Sequence, residues 1–259
     1  MARSPDFVAI DIGNTQIKFG LMDGESVLST FRLTSTGSSE GLAEELRHAL
    51  GDSIIDPTTP FVLASVSPMA TLHCREALRE VLGVEVLELG RDLPVAIENA
   101  ALKPAQVGVD RLLNAAAAKA RFGSPAIVVD FGTAMTLDVV DQSGAYVGGI
   151  ISPGLRLSLA SLNERTALLP LVELDFASPP ILGRDTLTAM QSGVFWGCVG
   201  AVKELVGRML EAVGPDAHVL ATGGYAEVIA KEAEVIQHVV PELTLEGMRL
   251  SYQEHLRRS

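Results

Sequence analysis

Two aspartates in matching settings are the residues of this chain best placed for chemistry. Asp11 lies in the run Val8-Ala9-Ile10-Asp11-Ile12-Gly13-Asn14-Thr15, and Asp130 in Ile127-Val128-Val129-Asp130-Phe131-Gly132-Thr133-Ala134. Each is a β-branched strand run that ends in Asp-x-Gly and a small hydroxyl-bearing turn. The aspartates stand 119 positions apart (130 minus 11), close to half of the 259 residues. Gly13 permits a tight turn, and Asn14 and Thr15 add side-chain donors beside the turn amides, a setting that suits a phosphate group. Asp11, at the strand's carboxyl end, can hold Mg²⁺ through water. Gly132 and Thr133 can clamp the other side of a triphosphate, with Asp130 a hard oxygen ligand for a cation. Taken alone, the first motif is equally a plain hairpin turn with a solvated carboxylate. Lys18 reads either as a phosphate contact or as a strand-face residue, and Asp138 as an exposed strand residue.

A third motif, Gly108-Val109-Asp110-Arg111, opens a helical stretch. A carboxylate there is favoured by the helix dipole and is expected to stay ionised. It can accept a proton from a hydroxyl that attacks phosphorus, and Arg111 can grip a carboxylate or a phosphoryl group with two hydrogen bonds. An N-cap aspartate beside a surface arginine explains the same residues. Gly148-Gly149-Ile150-Ile151-Ser152-Pro153-Gly154 leaves room for a ligand against bare backbone, or is a structural turn. Thr222-Gly223-Gly224 can lie against an adenosine, or is a strand-to-helix loop. Thr186 caps or begins a helix. The chain has no Gly-x4-Gly-Lys-Ser/Thr loop, no Gly-x-Gly-x-x-Gly and no nucleophile elbow, and nothing in it suggests zinc or covalent catalysis.

The elements that must position these residues repeat. Strands are expected over 7–11, 16–22 and 26–33, then a helix over 39–50 with Leu42, Leu46 and Leu50 at helical spacing. A strand over 61–66, a helix over 69–82 stopped by Gly83, a strand over 84–89 and a helix over 110–122 follow. The order then restarts, with strands at 126–130, 135–141 and 145–151 and helices at 155–165 and 185–212. A strand at 218–221 and helices at 225–231 and 243–255 complete it. Three strands followed by alternating helix and strand, given twice, read as duplicated α/β domains. They are expected at 1–119 and 120–259, with a hinge near 119–124, facing each other across a cleft that holds one shared nucleotide.

A formal charge of −12 argues against a general nucleic-acid binder, which needs a basic stripe. Cys74 and Cys198 are too few for a disulfide framework and suit a reducing cytoplasm. No apolar signal region precedes the first strand, and Leu187–Leu210 is broken by Gln191, Lys203 and Glu204. That stretch reads as a buried helix, not a membrane span. A soluble, cytoplasmic protein is expected.

Together, Asp11–Thr15, Gly108–Arg111, Asp130–Asp138, Gly148–Gly154, Gly183–Gly193 and Thr222–Gly224 resemble the type III pantothenate kinases in order and spacing over nearly the whole chain. Val128–Ala134 and Ala189-Met190-Gln191-Ser192-Gly193 are especially close to that pattern. The resemblance implies a duplicated ribonuclease-H-like α/β fold of the actin-like ATPase and acetate/sugar kinase type, with two domains around a central cleft. It implies a homodimer with sites near the dimer interface. It also implies ATP-dependent phosphorylation of the primary hydroxyl of pantothenate, the first step of coenzyme A synthesis. Asp110 would be the general base, and Gly108, Val109, Asp110 and Arg111 would contact pantothenate. Thr186, from the partner subunit, would help close that pocket. Asp11, Ile12, Gly13, Asn14, Thr15, Gln16, Ile17, Lys18 and Thr133 would hold ATP, and Gly223 and Gly224 would flank the adenosine. Asp130 would bind a monovalent cation, K⁺ or NH₄⁺, while Asp11 would meet Mg²⁺. Family members usually carry Tyr seven residues before the glycine of Gly108–Arg111, and here that position is Ala101. This departure bears on substrate affinity and keeps two alternatives in view. One is a related small-alcohol kinase or nucleotide hydrolase on the same fold, the other a non-catalytic regulatory relative.

Overall fold

The computed structural model describes residues 5–35, 37–50, 58–175 and 177–258. The side chain of Leu50 and residues 1–4 lie outside that description. Two five-stranded mixed sheets carry the fold. The first contains β1 (Phe7–Ile12), β2 (Gln16–Met22), β3 (Val27–Thr34), β4 (Phe61–Ser65) and β5 (Val86–Glu88), in the spatial order β3-β2-β1-β4-β5. The second contains β6 (Ala126–Phe131), β7 (Ala134–Val140), β8 (Tyr146–Pro153), β9 (His218–Gly223) and β10 (His238–Val239), in the order β8-β7-β6-β9-β10. Strand for strand the two orders coincide. In each sheet the first three strands form an antiparallel meander, and the later two join parallel to the first.

The duplication extends to details. Asp11 pairs with Lys18 across the first hairpin, and Asp130 with Thr136 across its counterpart. Each sheet has a bulge one hairpin later, at Leu21/Met22 and at Val139/Val140. Each of those hairpins turns on an aspartate. Asp23 Oδ1 accepts the Ser26 amide at 2.6 Å, and Asp141 Oδ1 accepts the Ser143 amide at 2.9 Å. A short side-chain acceptor that satisfies its own turn's amides is what makes such positions Asp.

β1 and β6 are central strands buried on both faces, which is why Phe7–Ile12 and Ala126–Phe131 are nearly continuous apolar runs. β3 and β8 lie at sheet edges and alternate or stay largely exposed. The helices are α1 (Ser39–Leu50), α2 (Pro68–Leu82), α3 (Val109–Phe122), α4 (Leu155–Arg165), α5 (Thr186–Val213), α6 (Ala226–Ala233) and α7 (Leu243–Arg258). Proline at the first turn of α2 and a left-handed Gly83 at its end bracket that helix, the Gly83 amide donating to the Arg79 carbonyl at 3.0 Å. The 28-residue α5 starts on a capping box formed by Asp185 and Thr188. It buries Met190, Phe195, Val199, Val202, Val206 and Met209 along one side. The stretch expected to be a buried helix is therefore buried on one face only.

The chain divides into two compact units, and they are not its two halves. One comprises the described residues up to Ile97, Lys103–Ala117 and the C-terminal stretch from Glu242; the other comprises Glu98–Leu102 and Ala118–Pro241. The chain passes from one unit to the other inside α3, between Ala117 and Ala118, and α7 returns to the first unit. Its Leu245, Met248 and Tyr252 fill a core with Phe7, Ala9, Val62 and Leu113 beneath β1 and β4. Residues 98–102 join the second unit because the Glu98 carbonyl and the Ala100 amide bond the backbone of Tyr146, at 2.8 Å each. No helix among the described residues is long and apolar enough to cross a membrane.

Candidate active site

In the first unit the site residues gather at the carboxyl ends of β1 and β4. Asp11, half-buried, is followed by the turn 13–15, where the Gly13 amide donates to the Gln16 carbonyl at 3.0 Å and Asn14 and Thr15 are exposed. Ile12 and Ile17, named above with the phosphate-holding residues, have fully buried side chains, so only their backbone is on offer. Lys18 forms an ion pair with Glu242. Its charge is thus met inside the protein, and the strand-face reading of Lys18 is the one this geometry favours.

The Val66 amide donates to the Ile12 carbonyl at 3.2 Å, which stitches the end of β4 to the end of β1. Gly108 lies over Val66, and a Cβ at Gly108 would sit 2.5 Å from the Asp110 carboxylate. Glycine is needed there so that the carboxylate can fold back over the start of α3. Asp110 Oδ1 accepts the Arg111 amide at 2.8 Å. Burial raises its pKa, opposed by hydrogen bonding to, and the charge of, Arg111. Burial of the carboxylate thus works against the charged form that the start of the helix favours. A raised carboxylate is the better proton acceptor.

Sequence reasoning missed a web of hydroxyls one strand over. Ser65 Oγ accepts from Thr71 Oγ1 at 2.6 Å and from the Ser67 amide at 3.0 Å, between the end of β4 and the first turn of α2. The available signal was Ser65-Val66-Ser67-Pro68, hydroxyls leading into a proline-initiated helix.

In the second unit the analogous strand ends converge more tightly. Asp130 pairs in register with Thr222 and Phe131 with Gly223. Gly223 has φ +89°, and a Cβ on it would stand 2.6 Å from Asp130 Oδ1, so this position takes glycine for both conformation and space. The Gly224 amide donates to the Phe131 carbonyl at 3.2 Å, and the Gly154 amide to the Thr133 carbonyl at 3.1 Å. Asp130, Thr133, Gly154, Gly223 and Gly224 are thus one assembly, whereas the sequence offers them as separate runs. Thr186 is exposed at the first position of α5.

Asp138, read above as an exposed strand residue, is fully buried. Its carboxylate accepts from Tyr146 Oη at 3.0 Å and from Thr136 Oγ1 at 2.9 Å. Ala101, where an aromatic was expected, donates its amide to Asn99 Oδ1 at 3.2 Å, and the Tyr146 ring nearby is itself buried. Burial pushes the Cys74 and Cys198 thiols up, to about 12 and about 11, so neither is a thiolate at neutral pH.

Chemically, the first unit offers a hydroxyl-rich strand end beside a half-buried carboxylate. The second offers a carboxylate and bare backbone at a Gly-Gly turn. Among the described residues no group of three or more His, Cys, Asp or Glu could hold a metal ion.

A family model described as type III pantothenate kinase matches residues 7–208. The type III pantothenate kinase of Roseiflexus sp. (strain RS-1) is 41% identical over 252 residues, covering 95% of this chain and 98% of that one. That of Dehalococcoides mccartyi (strain CBDB1) is 36% identical over 260 residues, covering 97% of each. Among solved structures, the activator of 2-hydroxyisocaproyl-CoA dehydratase from Clostridium difficile, with bound ADPNP, superposes with TM-score 0.55 at 13% identity, covering 97% of this chain and 96% of that one. A 2-dehydro-3-deoxygalactonokinase-like protein of Sinorhizobium meliloti gives 0.56 at 13% identity, covering 96% of each chain. These likenesses show the fold, a duplicated ribonuclease-H-like architecture of the actin-like ATPase and sugar kinase type.

Proposed function

The chain belongs to the type III pantothenate kinase family, and from that membership we propose how its own residues divide the work. The reaction is ATP-dependent phosphorylation of pantothenate, which opens coenzyme A synthesis. Asp110 takes the proton of the primary hydroxyl as that oxygen attacks the γ-phosphorus. The new O–P bond forms as the bond to the ADP oxygen breaks, and no covalent enzyme intermediate is involved. The observation that carries this assignment is the half-buried Asp110 carboxylate, folded over Gly108 and held by the Arg111 amide at 2.8 Å.

Gly108, Val109 and Arg111 contact pantothenate, and the Arg111 guanidinium grips its carboxylate or the phosphoryl group in transfer. Asn14, Thr15 and the turn at 12–17 hold ATP, and Thr133 contacts it as well. Gly223 and Gly224 lie along the adenosine. Asp11 would hold Mg²⁺ through water and Asp130 a K⁺ or NH₄⁺ ion; when bound, these ions neutralise phosphate charge. We further propose a cytoplasmic homodimer in which Thr186 of one protomer closes the partner's pocket.

The test is ADP release from purified protein with ATP, Mg²⁺ and pantothenate, in K⁺ and then in Na⁺ alone. Pantothenate-dependent release that rises with K⁺ is expected. Asp110→Asn should lose roughly 10²–10⁴-fold in turnover while its ATP affinity stays near the parent's. Near-normal turnover of that variant would remove Asp110 from the role of base.

A further inference from the structure

One cation at the carboxyl end of the second sheet has no part in the mechanism above. Arg156 stands in the first turn of α4, two residues after Gly154, whose amide bonds the Thr133 carbonyl at 3.1 Å. Its side chain turns away from that contact toward Tyr225, the residue that follows Gly223-Gly224 and precedes α6. Arg156 Nε donates to Tyr225 Oη at 3.1 Å, and the guanidinium carbon lies 5.7 Å from the ring centroid. Tyr225 is 5% exposed and donates in turn to the Leu174 carbonyl at 3.4 Å. A buried, anchored phenol thus holds the guanidinium between the starts of α4 and α6, while Arg156 itself remains exposed. Tyr225 and the charge of Glu173 both favour its protonated form. Beside it, the position where Gly224 would carry a Cβ is open space.

A guanidinium held through Nε with one face toward the Tyr225 ring leaves its other face for a ligand. A planar cation in that state is suited to the face of an electron-rich aromatic ring. We propose that Arg156 is a nucleotide-specificity residue whose guanidinium packs on the purine base of ATP where the base leaves the Gly223-Gly224 turn. This rests on the reading of that turn as the adenosine site.

Calorimetric binding of ATP and of inorganic tripolyphosphate, which carries the phosphates without the base, tests it on full-length protein. Arg156→Ala should weaken ATP by roughly 3- to 30-fold, the span of cation–π contacts, and leave tripolyphosphate unchanged. Arg156→Lys, which keeps the charge and loses the plane, should recover only part of the loss. Tyr225→Phe, which releases the guanidinium, should weaken ATP in the same direction. Equal weakening of ATP and tripolyphosphate would make Arg156 a phosphate contact and overturn the proposal, as would unchanged ATP binding. Pantothenate-dependent ADP release by the parent protein judges the kinase reading separately. Release with no base-dependent loss in Arg156→Ala sinks this inference alone, and base-dependent loss without release sinks only the kinase reading.

Discussion

Asp110, the base proposed above, sits at a position that costs the fold stability. Its pKa is raised from 3.8, chiefly by burial. A folded-state pKa above the unfolded one means that the favourable contribution of the protonated form is fully present below the unfolded value. It is lost as pH rises through the folded value. Asp110→Asn, which cannot ionise, should therefore unfold at higher denaturant than the parent at pH 7, with the gap closing as pH falls toward 3.8. A gap of opposite sign would mean that Arg111 outweighs burial. For the same reason the acid limb of the kcat/KM profile should lie above the range of an ordinary aspartate. Asp138 is the contrasting case, a fully buried carboxylate with two hydroxyl donors. Tyr146→Phe removes one of them and should cost about 1–3 kcal/mol in urea unfolding. A cost near zero would show that the phenol's bond to Asp138 is not needed for its burial.

At the scale of elements, glycines inside helices separate two kinds of position that look alike in sequence. Gly207 is exposed in α5, and a Cβ there would meet nothing within 4 Å. Gly207→Ala should raise stability by about 0.5–1 kcal/mol, because alanine loses less backbone freedom on folding. Gly247 in α7 is buried, and a Cβ there would stand 2.1 Å from the Leu113 carbonyl oxygen of α3. Gly247→Ala must push the two helices apart and should destabilise by about 1–3 kcal/mol. Thermal midpoints moving in opposite directions would bear this out, and a stabilised Gly247→Ala would show that α7 does not pack on α3 as described. Element identity itself was legible from periodicity and end signals. The helix over 39–50 and the one over 155–165 end where the sequence places them, and Gly83 stops α2 as expected. β10 was not legible, because His238–Val239 is a two-residue strand with no period to read.

Across the whole molecule, the duplicated sheet order is the main organising fact, and the crossing of the C-terminus back to the first unit is the main departure from a chain cut in half. Leu245→Ala in α7 opens a cavity under β1 and β4 and should cost about 2–5 kcal/mol. Hydrogen exchange should then speed up in Val8–Ile12 and Phe61–Ser65 while Ile127–Phe131 and Val219–Thr222 keep their protection. Equal acceleration in both sheets would contradict the division into these two units.

By itself, the sequence determined the two Asp-x-Gly strand ends, the duplication and the family, because these rest on local runs: β-branched strands, glycine turns and motif order along the chain. It could not say that Lys18 is taken by Glu242, that burial raises Asp110, that Asp138 is interior, or that Gly223 rests on Asp130. Each of these depends on which residues, distant in the chain, exclude water or offer a charge at that point. Burial and pairing are properties of the packed neighbourhood, and only the tertiary structure brings that neighbourhood together.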